Sequence, residues 1–153
     1  MPASFTVRRS IDIRAPAEKL YPHIADFHAW AAWSPYEKKD LAMKKTYSGA
    51  PSGAGAIYEW EGNRNVGQGR LEMLEARAPS KVKVDLRFMK PFKAHNTAEF
   101  TLEPRGENTT VTWAMYGPST VMSRVMGLFI NMDKMIGTDF EAGLRNLKTI
   151  AER

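Results

Sequence analysis

A chain of 153 residues with a formal net charge of +5 has the length of one domain, and its charged and apolar residues are in ordinary globular proportion. There is no cysteine, which excludes disulfides, zinc–thiolate and iron–sulfur sites and cysteine nucleophiles. No window reaches the roughly 18 apolar residues of a membrane span, and Met1 to Ser10 lacks the apolar stretch of a secretory leader, so a cytoplasmic protein with one domain over residues 1–153 is expected.

Phe5, Val7, Ile11 and Ile13 alternate with polar residues, which predicts a half-buried strand. Arg9 falls on the apolar parity and is expected to break it. Ala15-Pro16 ends the strand, and Pro16 suits the first turn of a short helix running through Ile24. Phe27, Trp30 and Trp33, at three-residue steps, predict a second short helical turn that Ser34-Pro35 stops. Strands follow at Ala42–Ser48, Ala56–Glu61 and Gln68–Glu75, with the Gly49–Gly55 loop between the first two and a bulge expected at Gly67-Gln68-Gly69. Val82, Val84, Leu86 and Phe88 alternate with charged residues before Pro91 interrupts. Ala94 to Glu103 and Val111 to Met115 alternate in the same way about a turn at Arg105-Gly106-Glu107-Asn108.

Beyond Gly117-Pro118, which is expected to break the last strand, the pattern changes period. Ser119 is placed as an N-cap, and a long helix is expected from Ser119 to Glu152. Phe129, Met132, Ile136, Phe140, Gly143, Leu144, Leu147 and Ile150 form its apolar stripe. Strands joined by short turns mean an antiparallel meander. The expected fold is therefore α+β, with about seven antiparallel strands wrapped around a long C-terminal helix and two short helices after the first strand.

Several stretches together carry a resemblance. They are Trp30-Ala31-Ala32-Trp33-Ser34-Pro35 after the first strand, the Gly-rich hairpin leading to Ala56-Ile57-Tyr58-Glu59-Trp60-Glu61-Gly62-Asn63, the Pro91-Phe92 break, and Ile136-Gly137-Thr138-Asp139-Phe140-Glu141-Ala142-Gly143-Leu144-Arg145-Asn146-Leu147-Lys148. In this order and spacing they resemble the polyketide cyclase/dehydrase and lipid-transport branch of the START/Bet v 1-like (SRPBCC) superfamily. The resemblance covers nearly the whole chain. It implies a helix-grip fold with a cavity between sheet and C-terminal helix, and a protein that binds or transforms hydrophobic small molecules. In aromatase/cyclases of this superfamily, cavity Arg and Tyr side chains steer a polyketide.

Parity along the strands sets the candidate ligand contacts on the sheet: Arg9, Tyr58, Trp60, Met73, Phe88, Asn96, Trp113 and Met115, with Trp33 near the expected opening. The helix opposes them with Met132, Ile136 and Phe140. Such an aromatic and methionine face is either a solid core or the wall of an adaptable apolar pocket. Arg9 and Asn96 sit on apolar parities, where a polar group needs a partner, a water or a ligand, unless a bulge turns it outward. The mouth is expected near a mobile Gly49–Gly55 hairpin and Trp30–Trp33. Glu59 and Glu61 should face solvent. Glu72 is a further polar candidate.

The face offers no histidine as a proton carrier, which favours a binder for a lipid, polyketide-like or aromatic compound over a cyclase or dehydratase. A ribosome- or RNA-interacting protein using the basic surface is a third reading. His23 and His28 have the spacing of a known iron site, but no third ligand or cluster cysteine accompanies them, so no metal is expected. No cofactor, no DNA partner, and a monomer or weak dimer complete the expectations.

Overall fold

The computed structural model describes residues 4–36, 42–63, 67–90, 94–118 and 128–153, with side chains for 6–36, 42–63, 67–90, 95–117, 134 and 136–153. Seven strands form one sheet: β1 (Ser4–Ile13), β2 (Lys44–Gly49), β3 (Ala56–Glu61), β4 (Gln68–Arg77), β5 (Lys81–Lys90), β6 (Ala94–Arg105) and β7 (Asn108–Pro118). Their order is β1-β7-β6-β5-β4-β3-β2, with every pair antiparallel. From β2 onwards the chain is a meander. β1 and β2 lie at opposite edges, so the chain between them crosses roughly 30 Å of sheet at the usual strand spacing. It does so through α1 (Ala17–Ala25) and a 3₁₀ helix (Phe27–Ala32). The second of these obeys the three-residue step of its aromatics, which suits a 3₁₀ turn. The C-terminal helix α2 is Leu128–Ala151. Together these elements make the expected helix-grip α+β fold.

Register divides the sheet cleanly. On the inner face Val82, Phe100, Trp113 and Arg9 stand in one cross-strand row, and Val84, Ala98, Met115 and Val7 in the next. Leu71, Leu86 and Asn96 follow, with Tyr58 and Tyr47 beside them. Trp60, Gly69 and Phe88 form the far row. α2 runs alongside β1 in the same direction. Glu141 meets Arg9, Lys148 reaches the Asp12 carbonyl, and Glu152 accepts from the Arg14 amide at 2.8 Å. Gly143 lets this helix close on the sheet, because a Cβ there would stand 2.9 Å from the Trp113 ring and 3.0 Å from Pro35.

Several expectations need correction. Arg9 does not break β1, whose register with β7 is continuous; α2 supplies its partner Glu141 instead. Gly117-Pro118 does not break β7 either. Both still pair with β1, and Pro118 occupies the last position, where a missing N–H costs least. The Ser119 cap and the first turns expected of the long helix lie outside the described residues. β2 begins at Lys44 rather than Ala42, and β4 continues to Arg77 past a register shift at Met73/Glu75. The bulge expected near Gly67 is present as the shift at Gln68/Gly69. The Gly49–Gly55 hairpin is tied down rather than loose. The Gly53 amide donates to the Ala25 carbonyl at 2.8 Å and the Gly55 amide to the Met73 carbonyl at 2.8 Å.

Candidate functional site

The inner face has two unlike halves. Toward α1 the aromatic side chains fill space. Trp33 is 1% exposed and its indole N–H donates to the His23 carbonyl at 2.9 Å. Its ring meets Phe100 and Trp113 edge-on, and Trp113 stacks on Phe140 with centroids 3.9 Å apart. Met73, Leu144 and Leu147 complete this packing. So Trp33, Met73, Trp113 and Phe140, expected to touch a ligand, form the packed half. The opening expected at Trp30–Trp33 is closed on the same ground: the Trp30 indole N–H donates to the Ile24 carbonyl at 2.8 Å, and its ring meets Phe100.

The other half is looser. Tyr58, Leu71 and Leu86 are just buried, whereas Trp60, Phe88 and Ile136 are only half-buried. Tyr58 and Trp60 lie with centroids 6.2 Å apart, and Phe88 meets Trp60 edge-on at 5.7 Å. Asn96 pairs across the sheet with Leu86, lies diagonal to Phe88 and is 7% exposed. Its Oδ1 rests on Gly117, where any Cβ would collide with it. Among the described residues its amide makes no side-chain hydrogen bond, yet its polar atoms are not sealed from solvent-sized space. An accessible amide bordered by half-buried apolar rings marks this half as the place to look for a ligand. Of the expected contacts, the structure therefore brings Tyr58, Trp60 and Phe88 together, with Asn96 on the same face one strand beyond Phe88, Met115 in the adjoining row and Ile136 about one turn before Phe140. Met132 lies outside the residues whose side chains are described.

Arg9 faces inward but is engaged. Its Nε donates to Glu141 at 3.0 Å, an Nη donates to the Arg8 carbonyl at 2.7 Å, and the guanidinium lies across Gly137. The outward polar candidates are elsewhere. Glu72 pairs in register with Ile57 and Asp85 on the outer face and binds Arg70 at 3.1 Å, so it brings no acid to the inner face. Glu59 and Glu61 also face outward, bordering a cleft of about 150 Å³ with Lys44 and Thr46. A second outer cleft, about 320 Å³, is lined by Arg8, Glu99, Thr101, Thr112, Ala114 and Tyr116. His28 is held by the Asp26 carboxylate at 2.9 Å and stacks on Tyr47.

Residues 4–152 match the family described as polyketide cyclase/dehydrase and lipid transport. The chain belongs to that family. No curated protein matches it. Solved structures repeat the fold at low identity. A Mesorhizobium loti protein superposes with TM-score 0.71 at 16% identity, covering 97% of this chain and 98% of that one. A protein of Colwellia psychrerythraea solved as a dimer gives 0.67 at 15%, covering 97% and 96%. The di-domain ARO/CYC protein BexL from the BE-7585A biosynthetic pathway gives 0.69 at 13%, covering 98% of this chain and 50% of that one. Among the described residues no helix is long and apolar enough to cross a membrane.

Strand parity could not reveal two features of this family member. One is the Tyr36 hydroxyl, hydrogen-bonded to Asp139 of α2; burial raises its pKa well above the usual tyrosine value, and the Asp139 charge adds to the rise. The other is Asp85 on the outer face, directly beneath the Asn96 half. Burial pushes its pKa up, but hydrogen bonds from His95 and from Arg87 at 2.9 Å outweigh that and hold it below the usual carboxylate range. A depressed folded value means that Asp85 adds stability above the unfolded carboxylate pKa and that this is lost as pH falls through the folded value. Asp85→Asn should therefore cost about 1–2 kcal/mol at neutral pH. It should also flatten the loss of stability below about pH 4, the unfolded carboxylate range. Urea melts over that range decide it, and equal acid sensitivity in both proteins would remove Asp85 from the account.

Proposed function

We propose that the protein binds a hydrophobic small molecule, of lipid, polyketide-like or aromatic kind, on the inner face between Tyr58, Trp60, Phe88, Asn96 and Ile136. The observation that carries this is the pair of half-buried aromatic rings, Trp60 and Phe88, left on the inner face beyond the packed half. Apolar walls with few placed polar groups are the ordinary make-up of small-molecule sites. Membership in a family of cyclases, dehydrases and lipid carriers agrees with it.

A cyclase or dehydratase reading draws on the likeness to BexL, but it needs a proton carrier tuned toward the working pH. The inner face supplies Tyr58, and Tyr36, buried beside Asp139, has a raised pKa that makes it a poor acid. Binding without turnover is the better fit.

Native mass spectrometry of the purified protein tests the proposal. An apolar small molecule should co-purify and be released on denaturation, and the freed protein should take up apolar probes from solution. Protein that carries nothing and binds no apolar probe would defeat it.

A further inference from the structure

The outer face of the sheet carries charged and hydroxyl side chains, and at one point it dips. Ala114 lies on that face between Arg8 of β1 and Glu99 of β6, in one cross-strand row. Thr112 and Tyr116 stand two residues to either side of it on β7. A methyl group among longer side chains leaves a hollow, and Ala114 is only 8% exposed although it faces outward. It floors the outer cleft of about 320 Å³, which Thr101 completes. That volume is at the lower end of ordinary small-molecule sites, about 300–1,000 Å³.

The two charged walls of the cleft are not equivalent. The Glu99 carboxylate is held on both oxygens: Lys81 Nζ lies 3.1 Å from Oε1, and the Tyr116 hydroxyl donates to Oε2 at 3.1 Å. Its orientation is therefore set before any ligand arrives. Lys81 and Lys83, the residue paired with Glu99 on β5, offset its charge. An ammonium brought to Glu99 would meet these two lysines. A hydroxyl would not, and each carboxylate oxygen keeps a lone pair for it. Arg8 is exposed, and among the described residues its guanidinium makes no hydrogen bond or ion pair. Its forked donors suit a carboxylate or a phosphate. Glu99 decides between the two. A phosphate dianion has no hydrogen to give it and would be repelled, whereas a monocarboxylate that also carries hydroxyls serves both walls.

We propose that this cleft is a second binding site, for a small hydroxylated monocarboxylate, the chemistry shared by acidic sugars and open-chain sugar acids. The carboxylate lies on Arg8. Ligand hydroxyls donate to Glu99 and pair with the Thr101 and Thr112 hydroxyls, and the single methyl of Ala114 gives the skeleton room. The site is on the opposite face of the sheet from the half-buried rings and binds independently of them.

Amide chemical-shift titrations of isotope-labelled protein at neutral pH test this with D-glucuronate and D-gluconate. D-glucose, cyclohexanecarboxylate and inorganic phosphate are the comparisons. One or both of the hydroxy acids should shift the amides of Arg8, Glu99, Thr101 and Ala114, and the tighter of the two tells whether the ring or the open chain is preferred. Glucose lacks the carboxylate and cyclohexanecarboxylate lacks the hydroxyls. Each should bind here at least about tenfold more weakly, as expected when a charge-assisted contact is lost. Arg8→Gln should abolish the preference over glucose and leave the thermal midpoint unchanged, since Arg8 is exposed. Glu99→Ala should abolish the preference over cyclohexanecarboxylate. Equal binding of cyclohexanecarboxylate by the wild type, or tighter binding of phosphate, would reduce the cleft to an unspecific anion patch and overturn the assignment. So would the absence of shifts at these amides with both hydroxy acids, or a wild-type preference retained by either variant. None of these outcomes bears on the apolar site of the inner face.

Discussion

Phe100→Ala is expected to destabilise the protein by about 3–5 kcal/mol, the usual range for removing a fully buried aromatic ring. Phe100 is 0% exposed and touches three tryptophan rings: Trp30 and Trp33 edge-on, and Trp113 stacked at 4.9 Å. Those tryptophans cannot easily collapse into the gap. Two are fixed by indole hydrogen bonds to the carbonyls of Ile24 and His23, and the third is held under Phe140. A cavity whose walls are pinned keeps its full cost. For a chain of this length the loss corresponds to a drop in midpoint of roughly 10 °C, measurable by calorimetry. A loss under about 1 kcal/mol would show that the rings repack and that this half is softer than its hydrogen bonds suggest.

The same contrast explains what the sequence could and could not disclose. Alternation through Val82–Phe88 and Asn96–Leu102 fixes which side chains face α2, and the structure follows that parity without exception on β5 and β6. Parity says nothing about position along the strand. Trp113 and Trp60 share a face, yet one is sealed under Phe140 and the other is half-buried. That difference comes from where α2 and the 3₁₀ helix cross the sheet, a long-range fact. Arg9 was legible as a polar residue on an apolar parity, but its partner Glu141 lies 132 residues away. Gly137 was legible as the residue after Ile136, and Gly143 as a member of the helical stripe. That one admits a guanidinium and the other an indole is settled only by the packing. Asn96 was picked out by the same parity rule, and its lack of a partner among the described residues needed coordinates.

Gly69→Val should abolish measurable ligand binding. Gly69 lies at the β4 register shift, directly under the Trp60 ring and opposite Phe88. A Cβ there would meet the Trp60 ring, with Cζ2 at 2.5 Å, and the Arg87 carbonyl oxygen at 2.6 Å. The indole can turn away from the inner wall, but the carbonyl belongs to a paired strand, so the β4–β5 pairing must shift as well. Overpacking of this kind costs about 1–3 kcal/mol, which the packed half should withstand. Trp60→Ala is the companion variant, because it removes the ring and leaves the backbone of β3 and β4 untouched. Both should lose at least about tenfold in affinity for an aromatic probe, as expected when a stacking surface is removed from a site. Only Gly69→Val should also lower the thermal midpoint appreciably. If Trp60→Ala binds the probe as well as the wild type does, the ligand does not rest on this ring. If Gly69→Val binds normally, the indole has another rotamer that keeps the wall intact, and the close approach at Gly69 serves the sheet rather than the site.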